Sequence, residues 1–323
     1  MVDNEEPEEN LPCPTFDYTV RLDVRCVRAF KVLKDKRIAT MKSDTSLNII
    51  DTKQKCKVVA QSTPYLKPSP FKEFIKGSLI ELENGNLAAN FTQNEIVFFS
   101  VNNDKIEKIG SFNNDYFLKD VHSYTALSKN RFATIKEKKI SIWKGDAPYQ
   151  NDPVKEIDFG ETNVYNMLRL EGTETLIIKL DGVIKLYNME NYSEISSIPI
   201  ERYGGDALFQ FDDTHVILGQ CILDISTKTV KRYHTDYSDH RSSFVNGIKL
   251  RNGYIQVDDS CDISDSYKCE CYSVDYSKIL NPLTGNGKIV KRYGDGLNDW
   301  TYIDENTVVG IKLDKMNVFT YKN

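Results

Sequence analysis

Residues 78–101, SLIELENGNLAANFTQNEIVFFSV, set short apolar runs apart with polar turns and hold no recognisable catalytic motif. Ser78 to Glu83 is one run, Asn86 to Thr92 the second and Glu95 to Val101 the third; Asn84-Gly85 and Gln93-Asn94 separate them. Runs this short, rich in Val, Ile and Phe and cut by Asn and Gly, predict β-strands rather than helices. Asn-Gly predicts a type I′ hairpin turn, because both central residues of that turn take positive φ.

The rhythm recurs along the chain. Val27 to Leu33 is followed by Arg37 to Thr40 and Ser46 to Asp51. Val121 to Ser128 leads to Arg131 to Thr134 and Lys139 to Lys144, and Val164 to Leu170 leads to Thr175 to Ile178 and Val183 to Asn188. Ala207 to Phe211 precedes His215 to Leu218 and Cys221 to Ile225. Phe244 to Leu250 precedes Gly253 to Val257 and Tyr267 to Val274. The last copy is Asp299 to Ile303, Thr307 to Ile311 and Met316 to Tyr321. Copies of roughly 45 residues match the length of a four-stranded propeller blade. Most carry a more polar fourth strand: Lys55 to Ala60, Lys105 to Phe112, Pro153 to Phe159, Tyr192 to Ile200, Thr229 to Tyr233 and Lys288 to Tyr293. Alternating charge suits an outer edge strand that must resist edge-to-edge pairing.

The final copy ends the chain after three strands, and TFDYTVRLD at 15–23 alternates Phe16, Tyr18, Val20 and Leu22 with period 2 ahead of the first copy. The expected fold is therefore all-β: a seven-bladed β-propeller of four-stranded blades, its ring closed by the N-terminal strand joining the C-terminal blade. A ring of six or eight blades, or another all-β solenoid, is the alternative.

The third-strand ending Ile140-Ser141-Ile142-Trp143-Lys144 resembles the I-x-I-W-[D/N/K] of WD40-type β-propellers, with Tyr187-Asn188, Ile50-Asp51 and Tyr321-Lys322 as degenerate versions. The resemblance runs from about residue 15 to the end. No copy joins Gly-His to Trp-Asp, so the family's buried His-Ser/Thr-Asp-Trp network is expected only in part, in the copy holding His122-Ser123 and Trp143. The resemblance implies a non-enzymatic protein-interaction scaffold or adaptor. The alternatives are a metal-dependent hydrolase-type propeller with a site in its channel, and a substrate receptor of a ubiquitin ligase or transport assembly.

Composition narrows the classes. The 40% hydrophobic content supports a sizeable core, and a net charge of −5 with interspersed signs argues against nucleic acid as a partner. Residues 1–12 are acidic and expected to be a disordered tail, leaving 13–323 as a single WD40-like domain. Seven cysteines without framework spacing, an acidic N-terminus and the lack of an apolar run long enough for a membrane helix lead to the expectation of a cytoplasmic or nuclear protein with no membrane partner.

Cys261, Cys269 and Cys271 lie beside Asp258, Asp259, Asp262 and Asp265, but without the C-x2-4-C pairing that presents two ligands to one zinc tetrahedron. DDSCDISDS lacks the glycine and terminal glutamate of a calcium loop. The four histidines are scattered; His122, at the start of an inner strand, is the channel candidate, and a structural hydrogen bond is its favoured role. No nucleophile elbow or phosphate-cradling loop is present. No catalytic residue, metal or cofactor is expected.

In a propeller, connections from an outer strand to the next inner strand share a face with those joining second to third strands. Ser62 to Lys76, Asn113 to Asp120, Glu201 to Asp206, His234 to Ser242, Asp258 to Ser266 and Asp295 to Asn298 fall there; Gly145 to Asp152 and Ser277 to Gly287 fall on the other face. Long loops on a rigid scaffold commonly carry binding, and Tyr, Trp and Arg are frequent interface anchors. A protein or peptide partner is accordingly expected to meet Tyr65, Tyr116, Phe117, Arg202, Tyr203, Tyr237, His240, Arg241 and Trp300. For each aromatic, packing beneath its own loop is the competing role.

Overall fold

The computed structural model describes residues 16–21, 27–42, 44–54, 56–65, 79–92, 95–102, 104–113, 123–200, 208–232, 242–249, 255–261, 276–280, 282–283, 287–291, 297–304, 307–312 and 315–321. Strand β1 is Phe16–Arg21. The next four strands are β2 (Val27–Val32), β3 (Ile38–Lys42), β4 (Leu47–Asp51) and β5 (Lys57–Gln61). They are followed by β6 (Leu79–Glu81), β7 (Leu87–Thr92), β8 (Glu95–Asn102) and β9 (Lys105–Asn113). Then come β10 (Ser123–Ala126), β11 (Arg131–Lys136), β12 (Lys139–Lys144) and β13 (Lys155–Asp158), and β14 (Val164–Arg169), β15 (Thr175–Leu180), β16 (Val183–Asn188) and β17 (Ser193–Pro199). Each quartet forms an antiparallel four-stranded sheet in chain order. No helix occurs among the described residues.

These sheets belong to one of two compact units, Val20–Arg202 with Leu313–Asn317. The other unit, Met1–Thr19 with Tyr203–Lys312 and Val318–Asn323, holds β18 (Leu208–Gln210), β19 (His215–Leu218), β20 (Cys221–Asp224) and β21 (Thr229–Arg232) as one sheet. Its next sheet is β22 (Ser242–Lys249), β23 (Ile255–Cys261), β24 (Tyr276–Leu280) and β25 (Gly287–Lys291). After β26 (Leu297–Asp304), β27 (Thr307–Lys312) and β28 (Lys315–Tyr321), the last sheet runs in the order β1-β28-β27-β26.

Burial explains why the second and third strands read as continuous apolar runs. In β3, β4, β11 and β12, four or five successive residues are buried, so both strand faces are covered. The outer β5 and β17 are mostly exposed, and β17 is largely polar, as suits an edge. Each apolar cluster of the larger unit draws on two consecutive sheets. Met41, Ile49, Leu87 and Val97 join the first two; Phe98, Phe112, Phe132 and Trp143 join the second and third; Ile140, Ile142, Leu176 and Ile178 join the third and fourth. The first strands follow suit, with β2 against β6, β6 against β10 and β10 against β14. Sheets stacked face to face through a shared apolar layer are the packing unit of a propeller.

Turn chemistry repeats as well. Asp35, Asp44, Asn84, Asp158, Asn188, Asp212 and Asp224 each accept a hydrogen bond from the backbone N–H two residues on, the Asx turn that makes Asp and Asn useful between strands. The Asn84-Gly85 turn departs from the sequence expectation. Gly85 N–H donates to Leu82 O and only Gly85, at φ 84°, is left-handed, so the loop is a three-residue turn with glycine at its bulge. The two-residue turn with paired positive φ occurs instead at Lys129-Asn130, at 55° and 51°.

The sixth copy needs a second correction. Its third strand is β24, Tyr276–Leu280, not Tyr267 to Val274, and β23 continues through Asp258 to Cys261. Pairing fixes this: Ile255 faces Leu280 and Asp258 faces Ser277, so part of the supposed Ser277–Gly287 loop is strand. A local run of strand-forming residues does not say which residues pair across the sheet, and the pairing sets this boundary.

Candidate functional site

In an antiparallel sheet ordered β10-β11-β12-β13, the β10–β11 and β12–β13 connections lie at one end and the β11–β12 turn at the other. The first-strand turns of the larger unit are linked at that shared end. Lys34 N–H donates to Glu81 Oε2 (2.8 Å) and Lys34 Nζ to Glu83 O (3.0 Å). Glu83 Oε2 in turn accepts from Lys129 N–H (2.5 Å), Asn130 Oδ1 accepts from Asn84 N–H (2.7 Å), and Ser128 Oγ bonds Glu174 Oε2. The last three links each span 46 residues, one blade. A belt of bonds thus ties four successive turns.

Arg131 anchors the belt from inside. It is buried, at 8% exposure, and donates to Met189 O (2.8 Å), Tyr192 Oη (2.8 Å) and Ser128 O (3.1 Å), with Glu174 Oε2 at 3.6 Å. A buried guanidinium needs this many acceptors, because leaving its N–H groups dry and unpaired is expensive.

Among the fully described connections, Gly145–Val154 is the longest, and it leaves β12 at the same end. Three anchors hold it. Gly145 N–H donates to Asn130 O (2.6 Å), and a Cβ on Gly145 would sit 2.5 Å from Leu82 Cδ1 and 2.7 Å from Asn130 O, so only glycine lets the chain pass this close. Asp146 Oδ1 accepts from Asn84 Nδ2 (3.2 Å). Tyr149 crosses to the preceding sheet, where its ring stacks on Phe98 at 4.3 Å and 12° and lies close against Gly110 of β9. Burial, with Asp146 nearby, pushes the Tyr149 hydroxyl above the usual tyrosine range.

Between loop and turn lies a pocket of about 400 Å³ lined by Lys129, Arg131, Lys144, Asp146, Pro148 and Gln150. Arg131 and Lys144 are directly opposite in the β11–β12 register, which places two cations side by side. Arg131 is balanced by Glu174, and Lys129 has Glu190 at 3.6 Å; Lys144 has no carboxylate within ion-pair reach among the described residues.

Of the residues expected to meet a partner, Tyr65 is the one whose side chain is described. Its hydroxyl donates to Glu95 Oε1 (2.5 Å) and accepts from Lys108 Nζ (2.8 Å), which also stands 4.3 Å over its ring, and the ring packs on the first apolar cluster. Tyr116, Phe117, Arg202, Tyr203, Tyr237, His240 and Arg241 lie outside the described residues, as does the side chain of Trp300 in β26. His122, Cys269 and Cys271 are likewise outside, while Cys261 ends β23. Trp143 is buried at 1% exposure and its Nε1 donates to Thr134 Oγ1 (2.9 Å), a polar tie inside the third sheet. Sequence reasoning passed over Lys129, Lys144 and Gln150; the available signal was a pair of cations flanking a hairpin whose register sets them opposite.

The fold is that of WD40-type β-propellers. No family model and no curated protein sequence matches the chain. Among solved structures, a chain of the mitotic checkpoint complex is similar at TM-score 0.69 and 7% identity, covering 100% of this chain and 97% of that one. The β-propeller domain of Cps50 (Swd1) from Myceliophteria thermophila is similar at TM-score 0.65 and 11% identity, with 96% and 100% covered. U3-55K is similar at TM-score 0.65 and 11% identity, with 95% and 99% covered.

Proposed function

We propose that this chain is a non-enzymatic scaffold or adaptor of the cytoplasm or nucleus: a seven-bladed propeller, closed by β1 joining the C-terminal blade, that binds a protein or peptide partner. The strand order β1-β28-β27-β26 and the 46-residue spacing of the turn-to-turn bonds support the ring. The observation that carries the function is how the polar groups within the sheets are used. Trp143 with Thr134, Asn90 with Tyr124, and Arg131 with Met189 and Tyr192 are bonded to one another. Burial drives the Tyr124 hydroxyl far above its ordinary range, which keeps it a neutral hydrogen-bonding group. These bonds tie strands and neighbouring sheets together, and what the rigid body presents to other molecules is its loops. That a similar chain sits in the mitotic checkpoint complex accords with a role in assemblies.

The partner surface we propose is the long-loop face bearing Tyr65, Tyr116, Phe117, Arg202, Tyr203, Tyr237, His240, Arg241 and Trp300. The test compares proteins co-purifying with the native chain and with a folded Tyr116→Ala, Tyr237→Ala, Trp300→Ala variant. Loss of specific partners is the expected result. An unchanged set would overturn the face, and no stoichiometric partner for the native chain would overturn the scaffold role.

A further inference from the structure

We propose that the pocket beneath the Gly145–Val154 loop is a recognition site for a carboxylate carried by an acidic segment of a partner protein, held by Lys144 and Lys129 with Gln150 as a neutral donor. The site lies at the strand end where β10 turns into β11, opposite the end where β10 begins, so it is separate from the long-loop face and stands or falls independently of it.

Three observations converge. The first is charge: the lining holds Lys129, Arg131 and Lys144 with Asp146, and because Glu190 and Glu174 beside the pocket pair with Lys129 and Arg131, Lys144 is the lining cation without an ion pair among the described residues. A cation left without an ion pair beside a recess is a place where an anion is attracted. The second is the Arg131–Lys144 juxtaposition. Like charges directly opposite across an antiparallel pair are unfavourable; Glu174 offsets Arg131, while Lys144 has no ion pair among the described residues. An incoming carboxylate supplies the missing partner. Arg131 contributes field rather than a direct bond, since its N–H groups are already taken by Met189, Tyr192 and Ser128. The third is preorganisation. Gly145 against Leu82 and Asn130, Asp146 with Asn84, and Tyr149 on Phe98 fix the loop before any ligand arrives, which lowers the ordering cost of binding.

A carboxylate can come from Asp or Glu side chains or from a chain terminus. The experiment separates them: fluorescence anisotropy with a short labelled oligoglutamate peptide capped at both ends, a matched oligoglutamine peptide, and a neutral peptide with a free C-terminal carboxylate. The expected result is that oligoglutamate binds and the other two do not, with affinity falling as salt rises. Lys144→Gln and Lys129→Gln should each weaken binding about tenfold, the scale of one charge-assisted hydrogen bond. Lys57→Gln, on exposed β5, should leave it unchanged. Lys144→Gln should also unfold at the same or a higher temperature than the native chain, because the cross-strand repulsion is gone; a structural role for Lys144 would lower it. The proposal is overturned if the native chain does not bind oligoglutamate, if Lys57→Gln matches Lys144→Gln, or if the terminal carboxylate peptide or a single-stranded oligonucleotide binds more tightly.

Discussion

Gly110→Ala tests whether the Gly145–Val154 loop is held by its contact with the preceding sheet. The new Cβ would lie 1.9 Å from Tyr149 Cε2 and 2.3 Å from Cδ2, whereas carbon atoms in good contact are about 3.5–4.0 Å apart. The ring must therefore move by on the order of 1.5 Å, away from its 4.3 Å stack on Phe98. Losing the aromatic pair costs about 0.5–1.5 kcal/mol. Overpacking at the strand surface adds about 1–3 kcal/mol. Replacing glycine within a strand returns about 0.5–1 kcal/mol. The net loss is about 2 kcal/mol in the native background. In a Tyr149→Ala background the obstructing ring is absent, so the same change becomes neutral or slightly stabilising, a coupling of about 2 kcal/mol between residues in contact. Urea unfolding followed by Trp143 fluorescence, in a Trp300→Phe chain so that one of the two tryptophans reports, measures all four corners. Equal destabilisation in both backgrounds, or a Gly110→Ala change below about 0.5 kcal/mol, would refute the anchoring. The same variant should weaken oligoglutamate binding although it touches no lysine.

Further outcomes follow from other contacts. Arg131→Met should destabilise by about 3–5 kcal/mol in calorimetry, because Glu174 and the Met189 carbonyl lose a buried cation, and the loss should shrink in a Glu174→Gln background. Thr134→Val should cost about 1–3 kcal/mol by leaving the Trp143 indole N–H without its acceptor, read as a lower unfolding midpoint. Hydrogen bonds from the Ser226 hydroxyl and the Thr227 and Ser226 backbone hold the Asp224 carboxyl down at about 2, against 3.8 for the free side chain. A depressed folded-state value stabilises the fold above the unfolded value, so this contribution is present above about pH 4 and vanishes as pH falls through about 2. Asp224→Asn should flatten that part of an acid-unfolding profile, and an unchanged slope would count against the Asx turn as its source.

What the sequence discloses and what it conceals divide along a physical line. Strand identity and turn chemistry are local, so Val183 to Asn188 and Lys139 to Lys144 emerge as strands with the boundaries expected of them, and Asn and Asp mark the turns they cap. The geometry of an individual turn depends on how many residues the pairing leaves over, which is why the Asn84-Gly85 loop is a three-residue turn and why β24 begins at Tyr276, nine residues after the start of the run expected there. Binding residues are harder still. Tyr65 could equally have faced a partner or packed beneath its own loop, and only the structure shows its hydroxyl bonded to Glu95 and Lys108 of the second sheet. The pocket depends on register and on Tyr149 reaching Gly110 in the preceding sheet, neither of which any short window of sequence contains.

Several cations of the larger unit are compensated. Lys34 caps the carbonyls of Leu82 and Glu83, Lys129 meets Glu190, Lys138 meets Glu161, Lys139 meets Asp158 and Lys185 meets Glu194. Exposed pairs of this kind add little stability each, at most about 1 kcal/mol. Lys144 differs in lying opposite another cationic residue, Arg131, in the strand register. A sheet selected for stability alone would place an acidic or neutral residue opposite Arg131, since either removes a repulsion without disturbing the buried guanidinium. A lysine there, beside a loop fixed at three points, exchanges a little stability for a standing positive charge in a shaped recess. That exchange explains the pair better than packing does, and it ties the ligand to the residue opposite Arg131 rather than to the loop that covers it.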